Sequence, residues 1–88
     1  MVGWTLHYSR QAKKDAKKIL QAGFRDHADY LLDILEKNPF QNPPAYEKLT
    51  GDLEGLYSRR INIQHRLIYQ VIKQEKAIKI IRMWTHYE

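Results

Sequence analysis

Tyr57-Ser58-Arg59-Arg60-Ile61-Asn62-Ile63-Gln64-His65-Arg66-Leu67-Ile68-Tyr69 is the stretch whose reading decides the fold. Aromatic and β-branched residues fill both of its halves, and polar residues gather in the middle. It therefore reads as a hairpin joining a strand over Leu56 to Ile63 to one over Arg66 to Ile72. A two-residue turn at Gln64-His65 would call for Asn-Gly or a similar pair, and the stretch has no glycine. A three-residue loop, Ile63 to His65, is expected instead, with Asn62 paired to Arg66. Side chains alternate along a strand, so Arg60 and Arg66 fall on one face. Tyr57, Ile61, Leu67, Tyr69 and Val71 fall on the other, the expected core side, and Arg59 points away from Arg60. Guanidinium is permanently charged and matches phosphate geometry. Arginines held on a rigid sheet make a candidate phosphodiester site.

Working outward, Ala77 to Trp84 reads as a further strand rich in Ile, with Lys73-Gln74-Glu75-Lys76 as the turn before it. Connections this short join antiparallel neighbours. Upstream, Asn38 to Tyr46 is a loop that holds all three prolines of the chain. Before it come two helical patterns. Ala12, Ala16, Ile19 and Leu20 share one stripe over Arg10 to Leu20, with Lys13, Lys14, Lys17 and Lys18 on the opposite face. Phe24, Ala28, Leu31, Leu32 and Leu35 make the second stripe, and Pro39 should stop that helix near Asn38. Ser9 is a candidate N-cap, and Gly23 separates the two helices. Val2 to Tyr8 alternates Trp4, Leu6 and Tyr8 with polar residues and reads as a first strand. The expected fold is α+β: one domain over residues 1–88, with a small antiparallel-rich sheet of about 4–5 strands packed against two helices from the N-terminal half.

Composition bounds the function. A chain of 88 residues supports one modest core. With no cysteine, disulfides and thiolate metal sites are excluded. No apolar run approaches the roughly 20 residues of a membrane span, and the first residues lack an apolar signal core, so secretion is not expected. A cytoplasmic protein with no membrane partner is expected. The net charge of +5 is unevenly spread: +5 over residues 1–25, −5 over 26–56 and +5 over 57–88. Basic ends favour a polyanion as partner, although a solubilising surface explains the charge alone about as well.

Ser58-Arg59-Arg60-Ile61, His65-Arg66-Leu67-Ile68-Tyr69 and the terminal His86-Tyr87 together resemble the YoeB (Txe) family of the RelE-like superfamily. The similarity runs back through Glu47-Lys48-Leu49 and Asn38-Pro39-Phe40, about the C-terminal half of the chain. The resemblance implies a toxin endoribonuclease of a type II toxin–antitoxin system. Such an enzyme cleaves mRNA in the ribosomal A site and blocks translation. The partners implied are a cognate antitoxin protein that wraps the toxin, the ribosome with its mRNA, and a second copy in a homodimer. Operator DNA is bound only by the toxin–antitoxin complex. No cofactor or metal is implied.

The resemblance also implies roles. Cleavage without a metal needs a base for the 2′-hydroxyl proton, an acid for the leaving 5′-oxygen, and cations for the phosphorane. Glu47 matches the base and His86 the acid. Arg66 and Arg60 match the phosphate-stabilising arginines, and Tyr87 would orient the phosphate or a base. Each has a plainer alternative: Glu47 as a solvated loop carboxylate, His86 as an exposed terminal histidine. Arg59 suits structural support or a peripheral RNA contact, and His65 suits turn stabilisation. Tyr57 and Tyr69 suit packing. The chain departs from the family pattern in having Tyr57 where many relatives have Trp, and Thr50 where many have Lys. Lys48, directly after Glu47, is the candidate substitute for that lysine. Glu88 adds negative charge beyond Tyr87. The competing function is a non-catalytic basic nucleic-acid-binding module.

Overall fold

A computed structural model describes residues 3–83. Its elements are β1 (Thr5–Tyr8), α1 (Arg10–Gln21), α2 (Arg25–Lys37), β2 (Glu47–Lys48), β3 (Leu56–Arg60), β4 (Arg66–Ile72) and β5 (Ala77–Arg82). The strands form one sheet in the order β1-β5-β4-β3-β2. The α+β architecture expected from the sequence is present, with one parallel pair, β1 on β5, and three antiparallel pairs.

Local chemistry sets the helices. The Ser9 hydroxyl accepts from Ala12 N–H at 2.9 Å and donates to Ile81 C=O at 2.8 Å, so the cap of α1 is also tied to β5. At the far end, Phe24 N–H reaches Ile19 C=O and Gly23 N–H reaches Leu20 C=O, the 6→1 and 5→2 bonds of a Schellman ending. That ending requires a left-handed residue, and Gly23 supplies it with φ +84°. α2 stops at Lys37, before Asn38-Pro39, as the proline dictates. Ala12 and Ile19 of α1 join Ala28, Leu31 and Leu35 of α2 against Leu67, Tyr69, Ile78 and Ile80 of the sheet. Leu20, expected on the buried stripe, is exposed.

Three strand expectations change. β1 is regular only from Thr5. Ahead of it, Trp4 N–H donates to Glu36 C=O at 2.7 Å, and a Cβ on Gly3 would lie 2.6 Å from that same oxygen. Val2, the expected first strand residue, and Trp84, the expected last one, lie outside the described residues. β2, just after the expected Asn38 to Tyr46 loop, is a strand that the sequence pattern does not announce, because two residues are too short to show a period. The third change is the hairpin loop, which spans Ile61 to His65. Arg60 pairs directly with Arg66, and Asn62 does not. The Asn62 side-chain oxygen accepts from both Gln64 N–H and His65 N–H at 2.7 Å, and Ile61 and Asn62 N–H both donate to His65 C=O. Asn62 thus closes the turn as an Asx-type cap and is withdrawn from the ladder. The slip is two residues, which leaves every side chain on its expected face.

A bulge completes the frame. Tyr69 opposes Ile80, but Ile68 opposes Arg82, so β5 carries one extra residue. Past the bulge, Arg82 meets Asp15 of α1. Asp15 is fully buried, accepting from Arg82 Nε at 2.9 Å, Met83 N–H at 3.0 Å and Gln11 Nε2 at 2.9 Å. The end of β5 is thereby fastened to α1, beside the end of β4 that carries Arg66.

Candidate active site

The face of the sheet away from the helices holds the charged residues. Glu47 opposes Ser58 across β2 and β3, and Arg60 opposes Arg66 across β3 and β4. By alternation Ser58 and Arg60 share a face, so Glu47, Ser58, Arg60 and Arg66 converge. Together with Pro44, Ala45 and Tyr46 they line a cleft of about 370 Å³. Arg66 Nη1 donates to Glu47 Oε1 at 2.6 Å and lies 3.4 Å from Ser58 Oγ. The Arg66 side chain is 18% exposed and that of Glu47 62% exposed, so the arginine is held from below and the carboxylate meets solvent. Arg60 is exposed, and its side chain has no hydrogen bond or ion pair among the described residues.

Such an arrangement can bind an anion and move a proton. Two guanidinium groups sit side by side on adjacent strands, with a carboxylate touching one of them. Two neighbouring cations repel, and an anion between them relieves that repulsion. Among the described residues no group of acidic and histidine side chains has the arrangement of a metal site.

The expected placement of Arg60 and Arg66 on one face is met, and Glu47 is brought to them from 19 residues away. Lys48 is not. It follows Glu47 on β2, pairs with Tyr57, and by the two-residue period turns to the other side of the strand, outside the cleft lining. His86 and Tyr87 lie outside the described residues. Ser58 and Tyr46 are cleft residues that sequence reading passed over. The parity of Ser58 with Arg60 was the available signal for the first; for Tyr46 there was none beyond adjacency to Glu47.

Beneath the cleft, on the helix-facing side, Arg59 is 1% exposed. Its Nε donates to Tyr69 Oη at 3.2 Å, its Nη1 to Pro44 C=O at 2.6 Å, and its Nη2 to Pro39 and Gln41 C=O at 2.9 Å each. Tyr69 Oη in turn donates to Pro39 C=O at 3.1 Å. Burial pushes the Tyr69 hydroxyl up to about 12, and the Arg59 charge opposes that rise. Tyr57 stacks on Tyr69 with ring centroids 5.7 Å apart, and Phe40 and Tyr46 close the cluster around it. These tyrosines pack, as their core-side parity implied.

Comparison with known proteins agrees with this fold. Residues 5–87 match the family described as the YoeB-like toxin of bacterial type II toxin–antitoxin systems. A curated relative, Toxin YoeB of Streptomyces coelicolor, is 30% identical over 87 residues, covering 97% of this chain and 90% of the relative. Among solved structures, the YoeB–YefM complex from Staphylococcus aureus superposes with a TM-score of 0.80 at 34% identity, covering 96% of this chain and 98% of that one. The YoeB dimer from the same organism gives a TM-score of 0.78 at 34% identity over the same shares.

Proposed function

The chain belongs to the YoeB-like toxins of bacterial type II toxin–antitoxin systems, and on that premise we propose that it is a ribosome-dependent endoribonuclease that cuts mRNA in the A site. The observation that carries the proposal is the Glu47–Arg66 contact at 2.6 Å, with Arg60 directly across the ladder. A base paired to the arginine that binds the phosphate stands beside the 2′-hydroxyl of the same linkage. Glu47 takes that proton, and the 2′-oxygen attacks phosphorus. Arg66 and Arg60 hold the oxygens on which charge accumulates, a contribution on the order of 10²–10³ in rate per donor. The P–O5′ bond breaks, leaving a 2′,3′-cyclic phosphate, and His86 gives its proton to the departing 5′-oxygen. Tyr87 orients the phosphate. Every proton in the scheme moves through a side chain, with no metal or cofactor.

A toxin–antitoxin setting implies a cognate antitoxin as partner, a cytoplasmic location and operator binding as the complex. The S. aureus complex and dimer support an antitoxin and a second copy as partners here too.

The test is cleavage of an mRNA by purified protein with and without programmed ribosomes. Wild type should cut only with ribosomes and leave 5′-hydroxyl ends. Glu47→Gln and His86→Gln should each slow cutting by about 10²–10⁴, the usual span for loss of a general base or acid. No cutting by wild type with or without ribosomes, together with RNA binding that survives Glu47→Gln and His86→Gln but is lost on reversing the charge of Arg60 or Arg66, would instead establish the non-catalytic binding module.

A further inference from the structure

We propose that Arg59 is a positioning residue for Glu47, acting from the opposite face of the sheet by clamping the proline loop that leads into β2. The proposal rests on Glu47 being the base and goes beyond it by identifying what places that base.

Arg59 cannot meet RNA in the cleft. It alternates with Arg60, points to the helix side of β3, and is almost fully buried. No carboxylate pairs with it among the described residues. Burying an unpaired guanidinium is costly, and an apolar side chain would fill the space more cheaply. What an apolar residue could not do is converge three main-chain carbonyls. Arginine's planar fork fixes its donors in space, and here they bind Pro39, Gln41 and Pro44.

The loop needs such a partner. Pro39, Pro43 and Pro44 have no N–H, so they cannot contribute donors to a turn or ladder. The one loop-internal main-chain bond is Gln41 N–H to Asn38 C=O. Pro39, the buried one of the three, shares its C=O between Arg59 and Tyr69 Oη, while the C=O groups of Gln41 and Pro44, at an exposed and a half-buried residue, are drawn onto the same guanidinium. From Pro44 the chain passes through Ala45 and Tyr46 to Glu47. Tyr46 lies on the same clamp, its ring centroid 5.0 Å from Arg59 Cζ. β2 itself has two residues and sits at the sheet edge, so its pairing with β3 holds Glu47 weakly. The clamp therefore sets where Glu47 stands relative to Arg66. The sheet delivers Arg60 and Arg66 directly, whereas the base arrives on a loop that Arg59 tethers.

A double-mutant cycle separates positioning from general stabilisation or RNA binding. Single-turnover cleavage on programmed ribosomes is measured for Arg59→Lys, Arg59→Met, Glu47→Gln and the Arg59→Lys/Glu47→Gln double, each checked for folding by circular dichroism. Arg59→Lys keeps the charge and loses the fork. Misplacing a base by about 1 Å can cost about 10²-fold, so the saturated rate should fall roughly 10–100-fold with half-saturation unchanged. The double variant should cut no more than about 3-fold slower than Glu47→Gln alone, because a misplaced base matters little once the base is gone. If Arg59→Met does not fold, Tyr69→Phe replaces it, since that hydroxyl bridges Arg59 and Pro39. Wild-type rates in folded Arg59 variants, multiplicative losses in the double, or a change confined to half-saturation would each overturn the positioning role while leaving Glu47 as base. A Glu47→Gln protein that cuts at the wild-type rate would remove the base assignment and this proposal together.

Discussion

Asp15→Ala should unfold the protein far more readily than its position in a lysine-rich helix suggests. The carboxylate is fully buried and holds Met83 N–H at 3.0 Å, a bond from a buried main-chain donor to a charged acceptor. Such a bond is worth about 1.5–3 kcal/mol, and removing the acceptor also strands the donor. The Arg82 bond adds less. That side chain is 40% exposed, so solvent screening holds its share to about 1 kcal/mol or below. Gln11, one helical turn away, contributes about 0.2–0.5 kcal/mol. Alanine regains up to about 0.7 kcal/mol in helix propensity. The net expectation is a loss of about 3 kcal/mol, a large part of the roughly 4–13 kcal/mol that a domain of this size possesses. The melting temperature should drop by about 12–24 °C. Asp15→Asn retains one acceptor and should lose about half as much. Urea unfolding followed by circular dichroism measures both. A loss under about 1 kcal/mol for Asp15→Ala would refute the view that this carboxylate fastens β5 to α1.

Further outcomes follow from single contacts. Ser9→Ala removes both the cap on Ala12 N–H and the bond to Ile81 C=O and should cost about 1–2 kcal/mol by thermal melt, with Ser9→Thr largely restoring it. Tyr69 titrates at about 12 in the folded protein against 10.0 ordinarily. A raised folded value means the unfolded chain ionises first, so its contribution is intact below about pH 10 and is lost as pH rises toward 12, by up to about 2–3 kcal/mol. Urea midpoints for wild type and Tyr69→Phe across pH 9–12 should therefore converge as pH rises; parallel curves would remove Tyr69 from the alkaline transition.

Much of the architecture is written in local pattern. Helical stripes, the Pro39 stop, the Ser9 cap and the parity of Arg59 against Arg60 all depend on near neighbours, and each is legible along the chain. Even a two-residue slip between expected and observed hairpin register leaves Arg60 and Arg66 on one face, because the side-chain period is also two. The family resemblance, carried by short motifs, singles out Glu47 from the chain alone.

Relations between distant residues were not legible. β2 is two residues long and has no pattern of its own; it is a strand because β3 pairs with it, and that pairing turns Glu47 toward the cleft and Lys48 away. The parallel alignment of β1 with β5 joins segments some seventy residues apart. Asp15 sits among lysines in the sequence and looks like a solvated helix charge, yet packing buries it against the end of β5. Arg59 shows the division most plainly. Its sequence neighbours established that it turns inward, since alternation is a property of a single strand. Its three carbonyl partners lie 15–20 residues upstream, in a loop without a periodic signal. The tertiary fold alone brings them to the guanidinium, because those bonds exist only once the chain has closed on itself.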